Sequence, residues 1–177
     1  VANDYGTDSL EDAASVFVES GSAVSVSEAE SVQDLINYSG GDIDITDTAA
    51  ALISAGDSVL NVNGVDVVTA SDSSVNANIG AELASFTADI EFDVVDNANA
   101  IATEVASSGF GSGGLDEANT VEVSGGDVTA SEADAIQSIT GYDGKASDYD
   151  ITDTAAALIS AGDSVLNVNG VGVVTAS

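Results

Sequence analysis

The chain has 177 residues, with 31 acidic side chains against a single basic one, Lys145, for a formal charge of −30. With no Arg and one Lys it cannot neutralise a phosphate backbone or dock electrostatically on an anionic bilayer, so nucleic acid and charged membrane surfaces are excluded as partners. It has no Cys and no His, which removes disulfides, thiolate and imidazole metal ligands, and the Ser–His and Cys–His nucleophile pairs.

No apolar run approaches 18 residues, so no membrane insertion is expected. The high charge alone would suggest disorder, but 44% hydrophobic residues with positive mean hydropathy argue for a folded chain. Pro, Met and Trp are absent and aromatics are 5%. Such small side chains suit thin stacked layers better than a thick core. The chain opens at Val1 without a signal peptide. It stops at "GVGVVTAS", a stretch that at its first occurrence runs on into Asp72, so both ends read as cut from something longer.

In chain order, "AVSVSEAESVQDLI" (23–36) comes first. Val24 and Val26 alternate as a strand. Ser27 is the expected helix cap, Glu28 and Glu30 sit in the first turn, and Ala29, Val32 and Ile36 form one buried face. "DIDITDTAAALIS" (42–54) follows the same grammar. Ile43 and Ile45 make the strand, Asp47 the cap, Leu52 and Ile53 the helix face, and Gly56 the stop. In "VLNVNGVDVV" (59–68), Asn63-Gly64 reads either as a hairpin turn or as a loop into another parallel strand, the reading preferred here. "DIEFDVVDNANAIATEV" (89–105) and "DVTASEADAIQSI" (127–139) repeat the strand–cap–helix order. Between them, Gly111, Gly113 and Gly114 resemble a phosphate loop only superficially. No Lys follows and the field is negative, so a flexible corner is expected.

The chain also repeats at long range. Residues 44–71 and 150–177 match at 27 of 28 positions, Asp66 against Gly172 being the difference. Upstream, 24–36 parallels 127–139, with Val24 matching Val128, and "LEDAASVFVESG" (10–21) parallels "LDEANTVEVSGG" (115–126), so the offset drifts from 105 to 104 to 106. The repeat units are therefore 1–114 and 115–177, each incomplete at one end. Strand–helix units of 20–30 residues cannot bury their own apolar faces and must stack. The expected fold is an α/β repeat, a right-handed β-α solenoid of short parallel strands and short helices. Tandem immunoglobulin-like β-sandwich domains are the alternative, because the long period matches that domain size. A pair of compact α/β domains is a third reading.

Two acidic motifs keep one spacing, Asp42, Asp44 and Asp47 in "DIDITD" and Asp148, Asp150 and Asp153 in "DYDITD". Carboxylates on one strand face suit Ca²⁺, which takes six to eight oxygen ligands; the competing reading is a helix cap for Asp47 and Asp153 and solvation for the others. Asp89, Glu91, Asp93 and Glu122 extend the pattern, and Glu91 and Asp93 join the candidate metal ligands. Stacked strands would bring such carboxylates about 4.8 Å apart. Each pair would cost about 0.9 kcal/mol in water before screening, which bound cations or salt would relieve. Catalysis by paired carboxylates is not expected, since acids are everywhere and no pair stands out. Tyr5, Tyr38, Tyr142 and Tyr149 could stack on sugars, although Tyr38 and Tyr142 also suit helix–strand corners.

The run "VTASEADAIQSITGYDGKASDYDITDTAAALISAGDSVLNV" (128–168) resembles repeats of very large secreted bacterial surface proteins, cyanobacterial ones above all. In these, "DTAA" follows a short strand. The resemblance covers about 20–71 and 120–177 and implies surface-layer or adhesin-like polypeptides. The glycine-aspartate nonapeptide of calcium-binding repeats is absent; "GFGSGGLDEAN" (109–119) has its glycines out of phase. The expectation is a non-enzymatic structural protein at the cell surface. It would polymerise head to tail with itself under divalent cations, with a module binding cell-surface glycan as the alternative. A halophile's acidic globule is a third possibility.

Overall fold

A computed structural model describes residues 15, 18, 23–35, 38–108, 114–145 and 148–177. Tyr5, Ile36, Gly111, Gly113 and most of the 10–21 repeat segment lie outside the described residues. The fold is α/β, and each of its three sheets contains parallel strand pairs. A helix stands in the chain between the two strands of each pair, so the β-sandwich alternative finds no support. Contacts divide the chain into two units, Val1–Asp72 with Phe86–Ile90, and Ser73–Ser85 with Glu91–Ser177.

In the first unit, β1 (Ala23–Val24), β2 (Ile43–Asp47) and β3 (Val65–Ala70) pair in chain order, and Ile90 opens β4 (Ile90–Glu91) beyond β3. Three helices intervene, α1 (Val26–Gln33), α2 (Ala49–Ala55) and α3 (Asp57–Leu60). Period-2 alternation drives Ile43, Ile45 and Val68 inward against Ala29, Leu52 and Leu60, all at most 2% exposed. The 59–68 segment is a short helix and loop leading to a parallel strand, rather than a hairpin.

The caps differ from expectation. Ser25, not Ser27, begins α1, and it does so through a capping box. The Ser25 N–H donates to Glu28 Oε2 at 2.9 Å and the Glu28 N–H to Ser25 Oγ at 3.3 Å. Val26 is therefore the first helical residue and is buried there instead of alternating in a strand. Thr48, not Asp47, caps α2, with Oγ1 accepting from the Ala51 N–H. Asp47 is occupied elsewhere.

The second unit holds β5 (Asp93–Asp96) paired with β6 (Thr120–Val123), and β7 (Asp127–Val128), β8 (Tyr149–Asp153) and β9 (Val171–Ala176) paired in order. Single parallel bridges join Val75 to Val94 and Val121 to Tyr142. Its helices are α4 (Ala77–Leu83), α5 (Ala98–Ser108), α6 (Ala130–Gln137), α7 (Ala155–Ala161) and α8 (Asp163–Leu166), with a 3₁₀ turn at Leu115–Glu117. Leu83, Val94, Ile101, Val121, Ile136 and Ile151 are fully buried. Small residues set the layer thickness. The fourth helical residue is Ala29, Gly80 or Ala133 in three helices, each buried, so helix and strand approach closely.

Candidate functional site

One device recurs along the chain. An aspartate at or just past a strand end accepts a hydrogen bond from the first backbone N–H of an earlier helix. Asp47 Oδ2 takes the Val26 N–H at 3.1 Å and Asp72 Oδ2 the Ala49 N–H at 2.6 Å. Asp96 Oδ2 takes the Ala77 N–H at 3.1 Å and Asp153 Oδ2 the Ala130 N–H at 3.2 Å. The bonds reach back 21, 23, 19 and 23 residues. They satisfy an N–H that the helix itself leaves unpaired, at the end where the dipole favours an anion. For Asp47 and Asp153 the second oxygen accepts the next residue's N–H at 2.8 and 2.7 Å. At α5 the aspartate is missing, and the Gly125 carbonyl accepts the Ala98 N–H instead.

The eight carboxylates expected to hold a metal are distributed as follows. Asp47 and Asp153 cap helices as above. Asp150 lies beside a β-bulge, where the register steps from Tyr149–Val171 to Ile151–Val174. Its Oδ1 accepts the freed Val173 N–H at 2.7 Å. Asp93 accepts the Thr120 hydroxyl at 2.7 Å. Asp42 and Glu91 are exposed and Asp44 half-buried. Asp148 is 8% exposed and accepts the Tyr142 hydroxyl at 3.1 Å. Burial raises its carboxyl above the usual range, and the Tyr142 bond offsets only part of that.

The outer-face ladder is also sparser than the sequence suggested. In register, Asp93 stands opposite Thr120 and Glu122 opposite Val95. Carboxylates face each other directly at Asp127 and Asp150. With Asp148 these two line a groove of about 230 Å³ floored by Gly125 and Gly126. Among the described residues no group of three carboxylates converges as a metal cage would require. In this groove Asp150 has one oxygen engaged by the Val173 N–H and Asp148 is bonded to the Tyr142 hydroxyl. Lys145 neutralises another part of the face, bonding Glu122 at 2.6 Å and Asp143 at 2.8 Å. These two carboxylates raise its pKa.

Tyr38 and Tyr142 occupy matching corners with different surroundings. The Tyr38 hydroxyl is buried with no hydrogen-bond partner among the described residues, and burial raises its pKa. Two extra residues between Tyr142 and Asp148, compared with Tyr38 and Asp42, let the second copy supply an acceptor. Burial raises the pKa of Tyr142, with Tyr149 and Asp148 adding to it. Tyr142 also lines an open groove of about 530 Å³ with Asp134, Gln137, Asp143 and Asn169. Behind both corners one glutamine bridge recurs. Gln33 donates to the Val59 carbonyl, and Gln137 to the Val165 carbonyl, each at 3.0 Å. Gln137 adds a bond to the Tyr149 hydroxyl at 2.8 Å.

Local reading missed the strand-end aspartates because each acts on a residue about 20 positions earlier. The available signal was an aspartate closing successive strands, in "ITD", "TASD" and "VVD". No protein-family model, curated protein or solved structure matches the chain.

Proposed function

We propose that the chain is a structural repeat segment whose parallel β-α units stack as a right-handed solenoid. It serves an extracellular filament or surface layer by head-to-tail self-association. The reading rests on one observation above others: the duplicated stretch folds twice into the same strand–helix–helix–strand module with the same bonds. Thr48 and Thr154 cap equivalent helices, Asp47 and Asp153 cap the helices before them, and Gln33 and Gln137 bridge the same carbonyls. Duplicating a catalytic site would bring no such requirement for identical scaffolding, and no enzymatic role is assigned.

Divalent cations enter as the counter-charge. With −30 on one chain, copies repel at low salt until cations such as calcium screen or bridge their acidic faces. Of the eight carboxylates weighed above, the exposed Asp42 and Glu91 belong with the dispersed acidic surface on which cations would act, rather than with one cage. Sedimentation velocity with calcium and after chelation tests this reading. Concentration-dependent multimers that dissociate on chelation are expected, and a monomer under both conditions contradicts it.

The Tyr142 groove favours a second reading, a glycan-binding module. Its aromatic ring and the neighbouring Asp134, Asp143 and Asn169 supply the stacking and hydroxyl-binding groups a sugar needs. Retention on a glycan array, lost in Tyr142→Ala, separates it from the structural reading.

A further inference from the structure

The groove beside Tyr142 continues into a second one. Two of its wall residues, Asp134 and Ser164, also line a groove of about 410 Å³ that passes Ser131 and Ser160 between α6 and α7. Both lie within the second unit. Their openness belongs to the layer itself. In the first copy, where the chain runs on past β3, Glu30, Tyr38, Ala51 and Ser58 match Asp134, Tyr142, Ala157 and Ser164 in exposure. The eight residues of α6 make a wall about 12 Å long, which exceeds one sugar ring.

The polar groups around Tyr142 are unbalanced, because their hydrogens are spent on the protein. Gln137 gives both amide hydrogens away, to the Val165 carbonyl at 3.0 Å and the Tyr149 hydroxyl at 2.8 Å. Ser138 Oγ donates to the Ala135 carbonyl at 2.6 Å and Ser164 Oγ to the Ala161 carbonyl at 3.4 Å. The Tyr142 hydroxyl donates to Asp148 at 3.1 Å. These side chains keep acceptor lone pairs for a ligand, and two exposed carboxylates add to them. Lys145 takes Asp143 Oδ2 at 2.8 Å, which leaves Asp134 as the carboxylate of this groove with no cation beside it among the described residues. Acceptors, one such carboxylate and an aromatic ring select a ligand that is rich in donors and positively charged.

We propose that this channel binds an oligosaccharide of amino sugars with free amines. One ammonium pairs with Asp134, a sugar ring stacks on Tyr142, and hydroxyls donate to the Gln137 and serine oxygens. The negative field of the chain turns acidic glycans away, and N-acetylated ones lack the ammonium that Asp134 takes. This rests on the glycan-binding reading and names the class of glycan.

Isothermal titration calorimetry of the full chain at moderate salt tests it with four probes. They are tetramers of glucosamine, N-acetylglucosamine and glucose, and spermine, which carries as many amines as the first without sugar rings. Saturable binding of the glucosamine tetramer is expected, at least tenfold tighter than that of the other three. It should weaken at least tenfold in Asp134→Asn and in Tyr142→Ala, but not in Asp66→Asn, which removes the same charge from an exposed position of the first copy. Equal binding of spermine, or equal weakening by Asp66→Asn, overturns the site in favour of diffuse charge attraction. A neutral tetramer that binds as tightly, and is lost in Tyr142→Ala, overturns the amine requirement and leaves the glycan reading standing. Binding of none of the three sugars overturns both.

Discussion

Tyr38 and Tyr142 show how one residue type at equivalent corners acquires opposite energetic signs. A buried hydroxyl without a partner carries a desolvation cost of about 1–3 kcal/mol, whereas a made bond contributes about 1 kcal/mol. Tyr38→Phe is therefore expected to stabilise the chain by about 1 kcal/mol. Tyr142→Phe is expected to destabilise by a similar amount, because Asp148 loses its donor. Chemical denaturation of the two variants checks both signs. Asp148 adds a pH signature. Since burial raises its carboxyl in the folded chain, the folded state binds that proton more tightly than the unfolded state. Its contribution to stability falls as pH rises from the unfolded value through the folded one. Asp148→Asn removes that loss, so its melting midpoint should exceed the parent's at pH 7 and converge with it near pH 3. Glu28 and Asp57, held low by backbone N–H groups, work oppositely, losing stability on acidification, but they cancel in the comparison.

At the scale of elements, aspartates at or just past strand ends tie four helices to strands that follow them. Losing a cap costs about 0.5–2 kcal/mol. Asp96→Ala, which releases the Ala77 N–H and also the Asn97 N–H, should fall near the upper end in urea denaturation, with Asp96→Asn milder. Gly80 shows how tightly the layers approach. A methyl there would stand 2.7 Å from Val94 Cγ2 and 3.2 Å from Phe92, and Val94 is branched and cannot swing aside. Overpacking costs about 1–3 kcal/mol, against a helix-propensity gain of about 1 kcal/mol for alanine. Gly80→Ala is thus expected to lower stability by about 1 kcal/mol. An increase would mean that the layers have slack. Much of this grammar was legible in the sequence: strand β2, the face of Leu52, the stop at Gly56 and the parallel return at Val65. Cap positions were not. "SVSE" at 25–28 contains the S-x-x-E box, but alternation at Val24 and Val26 drew the strand one residue too far. Asp47 has the ordinary look of a cap, and only its bond to Val26, closed by tertiary stacking, moves that task to Thr48.

For the whole molecule, charge and repetition set the problem together. Thin layers rich in Ala, Val and Ile bury little per unit, so stability depends on neighbours above and below. A charge of −30 opposes bringing copies together. The acidic pattern was plain in the sequence, but its division of labour was not, because register decides which carboxylates meet. Asp127 and Asp150 do, Asp93 meets Thr120, and Asp47, Asp72, Asp96 and Asp153 serve backbone amides. The carboxylates left on the surface are the ones cations would govern. Negative-stain electron microscopy of the purified chain, with calcium and again after chelation, tests the central claim most directly. Filaments or sheets that disappear on chelation are the predicted result. Dispersed single particles under both conditions would contradict a cation-governed structural polymer.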